Sequence, residues 1–344
     1  MTRMTPWSKE KVPFTLIDAP DVAQDIHDSI DAMSEVDSWY IKAMEIGVLG
    51  VSSLVFKKLS GRKNGLLLPD AWSLHGPDSD ALASVMDDVN KPPEGYAHFQ
   101  NNGFLAKLLF FGRDHRKAYG FGRVAYIGGM NFNNEAFERT HDYLLKTKNE
   151  IVAANIRAII DPRSETYLGK RKNAVHQVDP GQWLLFEGES PFSSPIMRQA
   201  IKIVAAAVDE SVYYVSQTQP TGRLGWSVTA KQARPPVYNH HDHHDRRAMR
   251  LVERIQSIAP FIAHSTRQPD EQKVHAKTLV AKVENLELPN GERYSGWVSL
   301  SGSHNYTHSG ILAGTQEMAL LSTDQALIQQ QLTWIDKEFP LVST

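Results

Sequence analysis

Two short segments of this 344-residue chain carry the same potential chemistry. His115-Arg116-Lys117 and His275-Ala276-Lys277 each set an imidazole two residues from an ammonium group. A glycine-bearing turn ending in asparagine follows each, Gly128-Gly129-Met130-Asn131 and Gly302-Ser303-His304-Asn305. An acid then closes each set, Asp142 in the first and Glu317 in the second. A single His-x-Lys carries no information, whereas the same four residue types twice in the same order point to a duplicated half-site. Such a pocket suits a phosphodiester. Its anionic oxygens need donors that persist through a trigonal-bipyramidal transition state, and two lysines and two asparagines supply them. One neutral imidazole can attack phosphorus, and the other, protonated, can hand a proton to the leaving oxygen. Histidine fills both roles because it titrates near neutrality. Asp142 and Glu317 can orient the rings and fix their tautomers. No metal is needed for this chemistry, and no cofactor is expected. Ser303, Gly129 and His304 are expected to line the substrate pocket.

Duplicated chemistry needs duplicated elements to hold it. Val22, Ile26, Ile30 and Met33 have helical spacing, and Ser38-Trp39-Tyr40-Ile41 reads as a strand. Ile196, Ala200, Ile203, Ala207 and Val208 repeat the helix, and Ser211 to Val215 the strand. Within strands, residues i and i+2 share a face, so each His-x-Lys is expected to project both side chains together from a strand, with Ser303 and Asn305 likewise paired on the return strand. Further helices are expected over 48–58 and 78–88, a buried strand at Leu66-Leu67-Leu68, and a hairpin turn at Pro289-Asn290-Gly291. The stretch Gly188 to Pro195 reads as a linker. The expected division is therefore a first lobe over 13–190 and a second over 191–344, meeting about a pseudo-twofold axis.

Composition narrows the function classes. The formal net charge is −2 and 22% of residues are charged, so nothing marks a bulk nucleic-acid binder. Basic residues cluster locally, at Lys107, Arg113, Arg116, Lys117 and Arg123, and again at Arg246, Arg247, Arg250 and Arg254. Cysteine is absent, which excludes disulfides, thiolate metal sites and cysteine nucleophiles. The apolar stretch from Ile46 to Phe56 is too short and mixed to span a bilayer, so no integral membrane segment is expected. The run Asn239-His-His-Asp-His-His-Asp245 has metal-ligand types, but adjacent residues rarely converge on one ion, and a polar loop capping a following helix is the simpler reading. Leu108 to Phe111 and Trp72 read as core residues before lipid contacts.

The residues now in hand resemble the phospholipase D superfamily, with its paired His-x-Lys motifs and trailing asparagines. Arg113-Asp-His-Arg-Lys117, Tyr126-Ile-Gly-Gly-Met-Asn131 and Thr140-His-Asp142 are most similar to its cardiolipin synthase-like branch. Val274-His-Ala-Lys277, Leu300-Ser-Gly-Ser-His-Asn305 and Thr315-Gln-Glu317 match the expected partner half. The resemblance implies an α/β fold, a tandem pair of α/β/α lobes with the active site at their interface. It also implies metal-independent catalysis through phosphohistidine, with His115 as nucleophile and His275 as acid/base. The chain departs from the family where an Asp normally stands five residues after each Lys, for those positions hold Gly122 and Lys282. In this it is similar to tyrosyl-DNA phosphodiesterases. The first reading implied is phospholipid hydrolysis or phosphatidyl transfer by a cytoplasmic protein with peripheral membrane contact. The alternatives are a nucleic-acid phosphodiesterase and a non-catalytic module binding phosphorylated ligands.

Overall fold

The structure, a computed structural model, describes residues 6–70, 73, 79–100, 114–168, 172–188, 194–218, 220, 222–239, 273–306 and 315–341. Trp72, residues 107–111, Arg113, the His-rich run from 240 onward with the helix expected after it, and most of the 188–195 stretch lie outside the described residues. The first half runs β1 (Thr15–Asp18), α1 (Ala19–Asp31), β2 (Trp39–Ala43), α2 (Val51–Leu59), β3 (Gly65–Pro69), α3 (Ser79–Asn90), β4 (Tyr96–Ala97), β5 (Ala118–Phe121) and β6 (Val124–Gly128). It continues with α4 (Asn134–Glu138), β7 (Thr140–His141), β8 (Tyr143–Thr147) and α5 (Glu150–Ile160). The second half runs β9 (Ala174–Asp179), β10 (Gln182–Glu187), α6 (Pro195–Ala206), β11 (Tyr213–Val215), α7 (Gly222–Lys231), β12 (Lys273–Val274), β13 (Thr278–Glu287), β14 (Arg293–Gly302), β15 (Glu317–Ser322) and α8 (Gln325–Glu338).

The expected opening helices form for local reasons. Asp18 caps α1 by accepting the Ala19 N–H at 3.0 Å, Pro20 sits in the first turn, and Val22, Ile26 and Ile30 are buried. Ser194 caps α6 by accepting the Met197 N–H at 2.8 Å, with Pro195 next and Ile196, Ala200 and Ile203 buried. Each helix leads into the strand expected of it, β2 or β11.

Two sheets carry the fold, a seven-stranded one ordered β1-β8-β6-β5-β2-β3-β4 and a six-stranded one ordered β11-β13-β14-β15-β10-β9. Read along each sheet, β1-β8-β6-β5-β2 and β10-β15-β14-β13-β11 are the same topology, with β3 and β4 added beyond β2 in the first and β9 beyond β10 in the second. The repeat thus includes a strand ahead of each opening helix. This moves the boundary expected at 190/191: β9 and β10 pair with the C-terminal sheet, and the 188–195 stretch joins β10 to α6 inside the second lobe. Polar, proline-bearing composition marks a turn between elements and says nothing about which sheet the flanking strands join.

Both sheets are buried on both faces. Ile41, Leu67, Tyr119 and Leu144 face α1 to α4, while Trp183, Leu279, Leu300 and Leu321 face α6 and α7. The opposite faces meet in one central cluster with α5 and α8, joining Leu66, Ile127 and Leu145 to Phe186, Val280 and Leu320. Each lobe is therefore an α/β/α stack, and the inner layers pack against each other. Among the described residues, no helix is long and apolar enough to cross a membrane.

One buried charge cluster anchors the first motif. Asp114 is fully buried, takes a two-point contact from the Arg116 guanidinium at 2.9 and 2.6 Å, and lies 2.8 Å from Lys42 Nζ on β2. Burial alone would raise its pKa, but Arg116 and Lys42 hold its carboxyl well below the usual carboxylate range. Arg116 also reaches the Gln316 side chain at 2.7 Å across the lobe boundary. Removing one member of such a cluster strands buried charge. Asp114→Ala is therefore expected to lower the unfolding free energy by about 3–5 kcal/mol, as read by chemical denaturation.

Candidate active site

Lys117 stands immediately before β5 and Lys277 immediately before β13, so the His-x-Lys triplets are lead-ins to strands and not ladder residues as expected. The difference arises because their backbones hydrogen-bond to the other lobe. His115 N–H donates to the Gln316 carbonyl at 2.9 Å, and Asp114 forms a parallel bridge with Gln316. His275 N–H donates to the His141 carbonyl at 3.0 Å, where β12 runs parallel to β7. In each case the acceptor is the residue just before an acid.

The imidazole–carboxylate pairs consequently cross between the lobes. His115 Nδ1 lies 3.0 Å from the Glu317 carboxylate and 3.1 Å from the Ser303 carbonyl. His275 Nδ1 lies 2.7 Å from Asp142 Oδ2. Each Nδ1 faces a carboxylate, and that of His115 a carbonyl as well, so each ring carries its Nδ1 proton and leaves Nε2 without one in the neutral form. The two acids are thus set to fix tautomers, each for the motif of the opposite lobe and not for the motif it follows in the chain.

Two lysines sit among these pairs. Lys117 is fully buried, and its Nζ has no hydrogen-bond partner among the described residues. Lys277 Nζ donates to the His275 carbonyl. Burial drives these groups toward neutrality. It depresses Lys117 well below the ordinary lysine value, with Lys277 adding to the effect against Glu317, and brings Lys277 to about 8. Burial and then Lys277 bring His275 down to about 4 despite Asp142, while burial raises Glu317. An anion placed here would reverse the lysine and histidine shifts.

The asparagines lie just past the return strands, after β6 and β14. Asn131 is buried, with Nδ2 3.5 Å from Glu45 Oε2 and Oδ1 without a partner among the described residues. Asn305 likewise has a buried, unpartnered Oδ1, while its carbonyl accepts the Ser216 and Thr218 hydroxyls at 3.2 and 3.1 Å.

The three residues expected to line the substrate pocket are placed as follows. Ser303 is fully buried; its hydroxyl donates to Glu317 and accepts the Met318 N–H at 3.0 Å. Gly129 faces the other lobe, where an added Cβ would meet Lys277 Cδ at 3.1 Å and the His275 and Gly302 carbonyls at 3.2 Å. His304 is buried beneath the site, accepting the Tyr306 N–H at Nδ1 over 2.7 Å, with Nε2 3.6 Å from Glu187. The strand ends thus bury the Ser303 and His304 side chains and set the Gly129 backbone against the opposite lobe. His308 lies outside the described residues. Neither position that replaces the family's Asp lies in the cluster. Gly122 turns the β5–β6 hairpin at φ 59°, and Lys282 is exposed on β13. Sequence reasoning passed over Asp114, Lys42 and Glu187, although an acid closing the apolar strand Trp183-Leu-Leu-Phe-Glu187 was a usable signal.

No family model and no curated protein sequence matches this chain. Solved structures do. The phosphatidylserine synthase of Haemophilus influenzae Rd KW20 superposes with a TM-score of 0.64 at 10% identity, covering 97% of this chain and 86% of that one. The polyphosphate kinase from Porphyromonas gingivalis gives a TM-score of 0.52 at 14% identity, covering 93% of this chain and 49% of that one. At these identities the likeness is one of fold.

The depressed His275 pKa makes stability depend on pH with a definite sign. The ring binds its proton more weakly folded than unfolded, so the stability it contributes is present above pH 6.5 and is lost as pH falls through about 4. The difference corresponds to roughly 3 kcal/mol. Unfolding curves across this window should steepen in pH for the wild type relative to His275→Gln, and the His275 ring signals should titrate near 4 by NMR.

Proposed function

We propose that this chain, which has the two-lobed fold of the phospholipase D superfamily, is a phosphodiesterase that works through a phosphohistidine, with phospholipid hydrolysis or phosphatidyl transfer as its reaction. The observation that carries this reading is the reciprocal pairing of each imidazole with the opposite lobe's carboxylate around a buried, unpartnered Lys117 ammonium. In this reading the two Nε2 atoms and the Lys117 amine address one anionic centre, whose charge would restore the lysine's proton.

In the proposed reaction, a phosphodiester seats its non-bridging oxygens against Lys117, Lys277, Asn131 and Asn305. His115 Nε2 forms the N–P bond as the bond from phosphorus to the leaving oxygen breaks, and His275 Nε2 gives that oxygen its proton. His275 then takes a proton from water or an alcohol, whose oxygen attacks phosphorus and breaks the N–P bond. Glu317 and Asp142 stabilise whichever ring is cationic at each stage. His275 must arrive protonated, and the negative charge of the substrate beside it supplies the upward pKa shift. That charge also offsets the repulsion from Lys277 that depresses the ring in the empty site.

An apolar substrate is supported by the rim next to Asn131. Phe132 N–H donates to the Glu45 carbonyl at 3.1 Å and Gly47 N–H to the Phe132 carbonyl at 2.9 Å, so the segment from 45 to 50 borders the asparagine. That segment carries exposed Leu49, and exposed Leu54 follows on α2. The net charge of −2 leans the same way.

The test is turnover, with EDTA present, of phosphatidylglycerol, phosphatidylcholine and single-stranded DNA. Lipid turnover is expected, abolished in His115→Ala and reduced by about 10²–10⁴-fold in His275→Ala. Acid quenching during turnover should leave phosphate on residue 115. Cleavage of DNA alone would replace the lipid reading with the nucleic-acid one. Binding of an anionic phosphate without turnover of any substrate would leave only a binding module.

A further inference from the structure

The duplicated topology allows the two half-sites to be compared position by position. In the first sheet Asp18 pairs with Tyr143, so Ala19 stands beside Asp142, and its N–H donates to the Asp142 carbonyl at 3.1 Å. In the second sheet Glu187 pairs directly with Glu317. In the turns, Met130 precedes Asn131 where His304 precedes Asn305. Behind the acid that serves His275, the chain thus places Ala19 and Met130; behind the acid that serves His115, it places Glu187 and His304. Non-ionisable apolar side chains in one half-site correspond to a carboxyl and an imidazole in the other.

The ionisable pair is built in, not incidental. Glu187 and His304 are each only 2% exposed. Ser194 Oγ donates to Glu187 Oε2 at 2.7 Å, and the same hydroxyl accepts the Met197 N–H that starts α6. His304 accepts the Tyr306 N–H at Nδ1, so the ring proton of its neutral form is on Nε2, the atom 3.6 Å from Glu187 Oε2. Two carboxyls opposed on neighbouring strands in a dry interior cannot both be ionised cheaply. Glu317 already faces His115 Nδ1 and the Ser303 hydroxyl, both donors to a carboxylate, so the proton belongs on Glu187.

We propose that Glu187 and His304 are positioning residues of the His115 half-site, keeping Glu317 the one ionised member of a buried two-carboxyl cluster and thereby setting the charge state of His115. The inference deepens the phosphohistidine reading and rests on it only for its catalytic meaning. It has a consequence in pH. Burial, reinforced by Glu317, pushes Glu187 up to about 8. Its ionisation there adds negative charge to a cluster whose other titratable members, among the described residues, are Glu317 on β15, His304 after β14, His115 beyond Glu317, and the lysines Lys117 and Lys277 that face Glu317 from the strand starts. His115 would then hold its proton more tightly.

Ring signals of His115 and His275 in histidine-labelled protein, followed by NMR from pH 5 to 9.5 as a range of about the histidine-to-alkaline interval, provide the test. Wild type is expected to show a step in the His115 signals near pH 8 with a component set by Glu187, while Lys277, which titrates in the same range, gives a step at His275 that does not depend on Glu187. Glu187→Gln, which keeps the shape but cannot ionise, should lose that component at His115 and leave the His275 step unchanged. Converting the pair to the residues of the other half-site, Glu187→Ala with His304→Met, should also lose it and should move the His115 titration while leaving that of His275 in place. A His115 step of unchanged size in Glu187→Gln, or no step in wild type, overturns the proposal. Should the double variant fail to fold, the Glu187→Gln comparison still decides. These readouts need no turnover, so failure of the enzyme reading would show separately, as absence of cleavage with the step intact.

Discussion

Each imidazole of this site is held by a carboxylate from the other lobe, and the rest of the structure follows from that exchange. His115 with Glu317 and His275 with Asp142 are contacts that neither lobe can make alone. The backbone makes the same exchange, through His115 to Gln316 and His275 to His141, so the side-chain pairs are positioned by main-chain hydrogen bonds and not by flexible reach. Behind them the inner faces of both sheets, with α5 and α8, form one apolar cluster. Lobe docking and site assembly are therefore one event, and the rigidity of the core is passed to the two rings.

Burial gives this geometry its electrostatic character. Lysines, an imidazole and a carboxylate are packed where charge is costly, and each is shifted toward its neutral form. Lys117 has no acceptor among the described residues. A site in this condition favours an anion strongly, because one negative charge relieves several penalties together. The Asp114 cluster behaves differently: its charges are matched with Arg116 and Lys42 inside the protein, so it serves to hold the motif and makes no demand for a ligand.

Duplication set the frame, and divergence separated the halves. Gly129 is small because the opposite His-x-Lys segment passes over it, whereas its counterpart Ser303 has room to hydrogen-bond Glu317. Ala19 and Met130 stand opposite Glu187 and His304 in the same way. Two rings with like partners but unlike surroundings can hold different protonation states at one pH, as a two-histidine mechanism requires.

The repeated His, Lys, Asn and acid were legible in the sequence because order and residue type survive in one dimension, as were α1, α6, β2 and β11, whose patterning and caps are local. The mixed α/β class and two-lobed plan followed from the same repetition and the resemblance it carried. Tertiary structure alone decided which acid serves which imidazole, that β9 and β10 join the C-terminal sheet, and that Ser303 and His304 are buried while Gly129 abuts the opposite lobe. Chain order groups Asp142 with His115, but pairing depends on which segments lie side by side after the lobes dock. That adjacency comes from long-range strand bridges and a shared core, and no local pattern of residues encodes it.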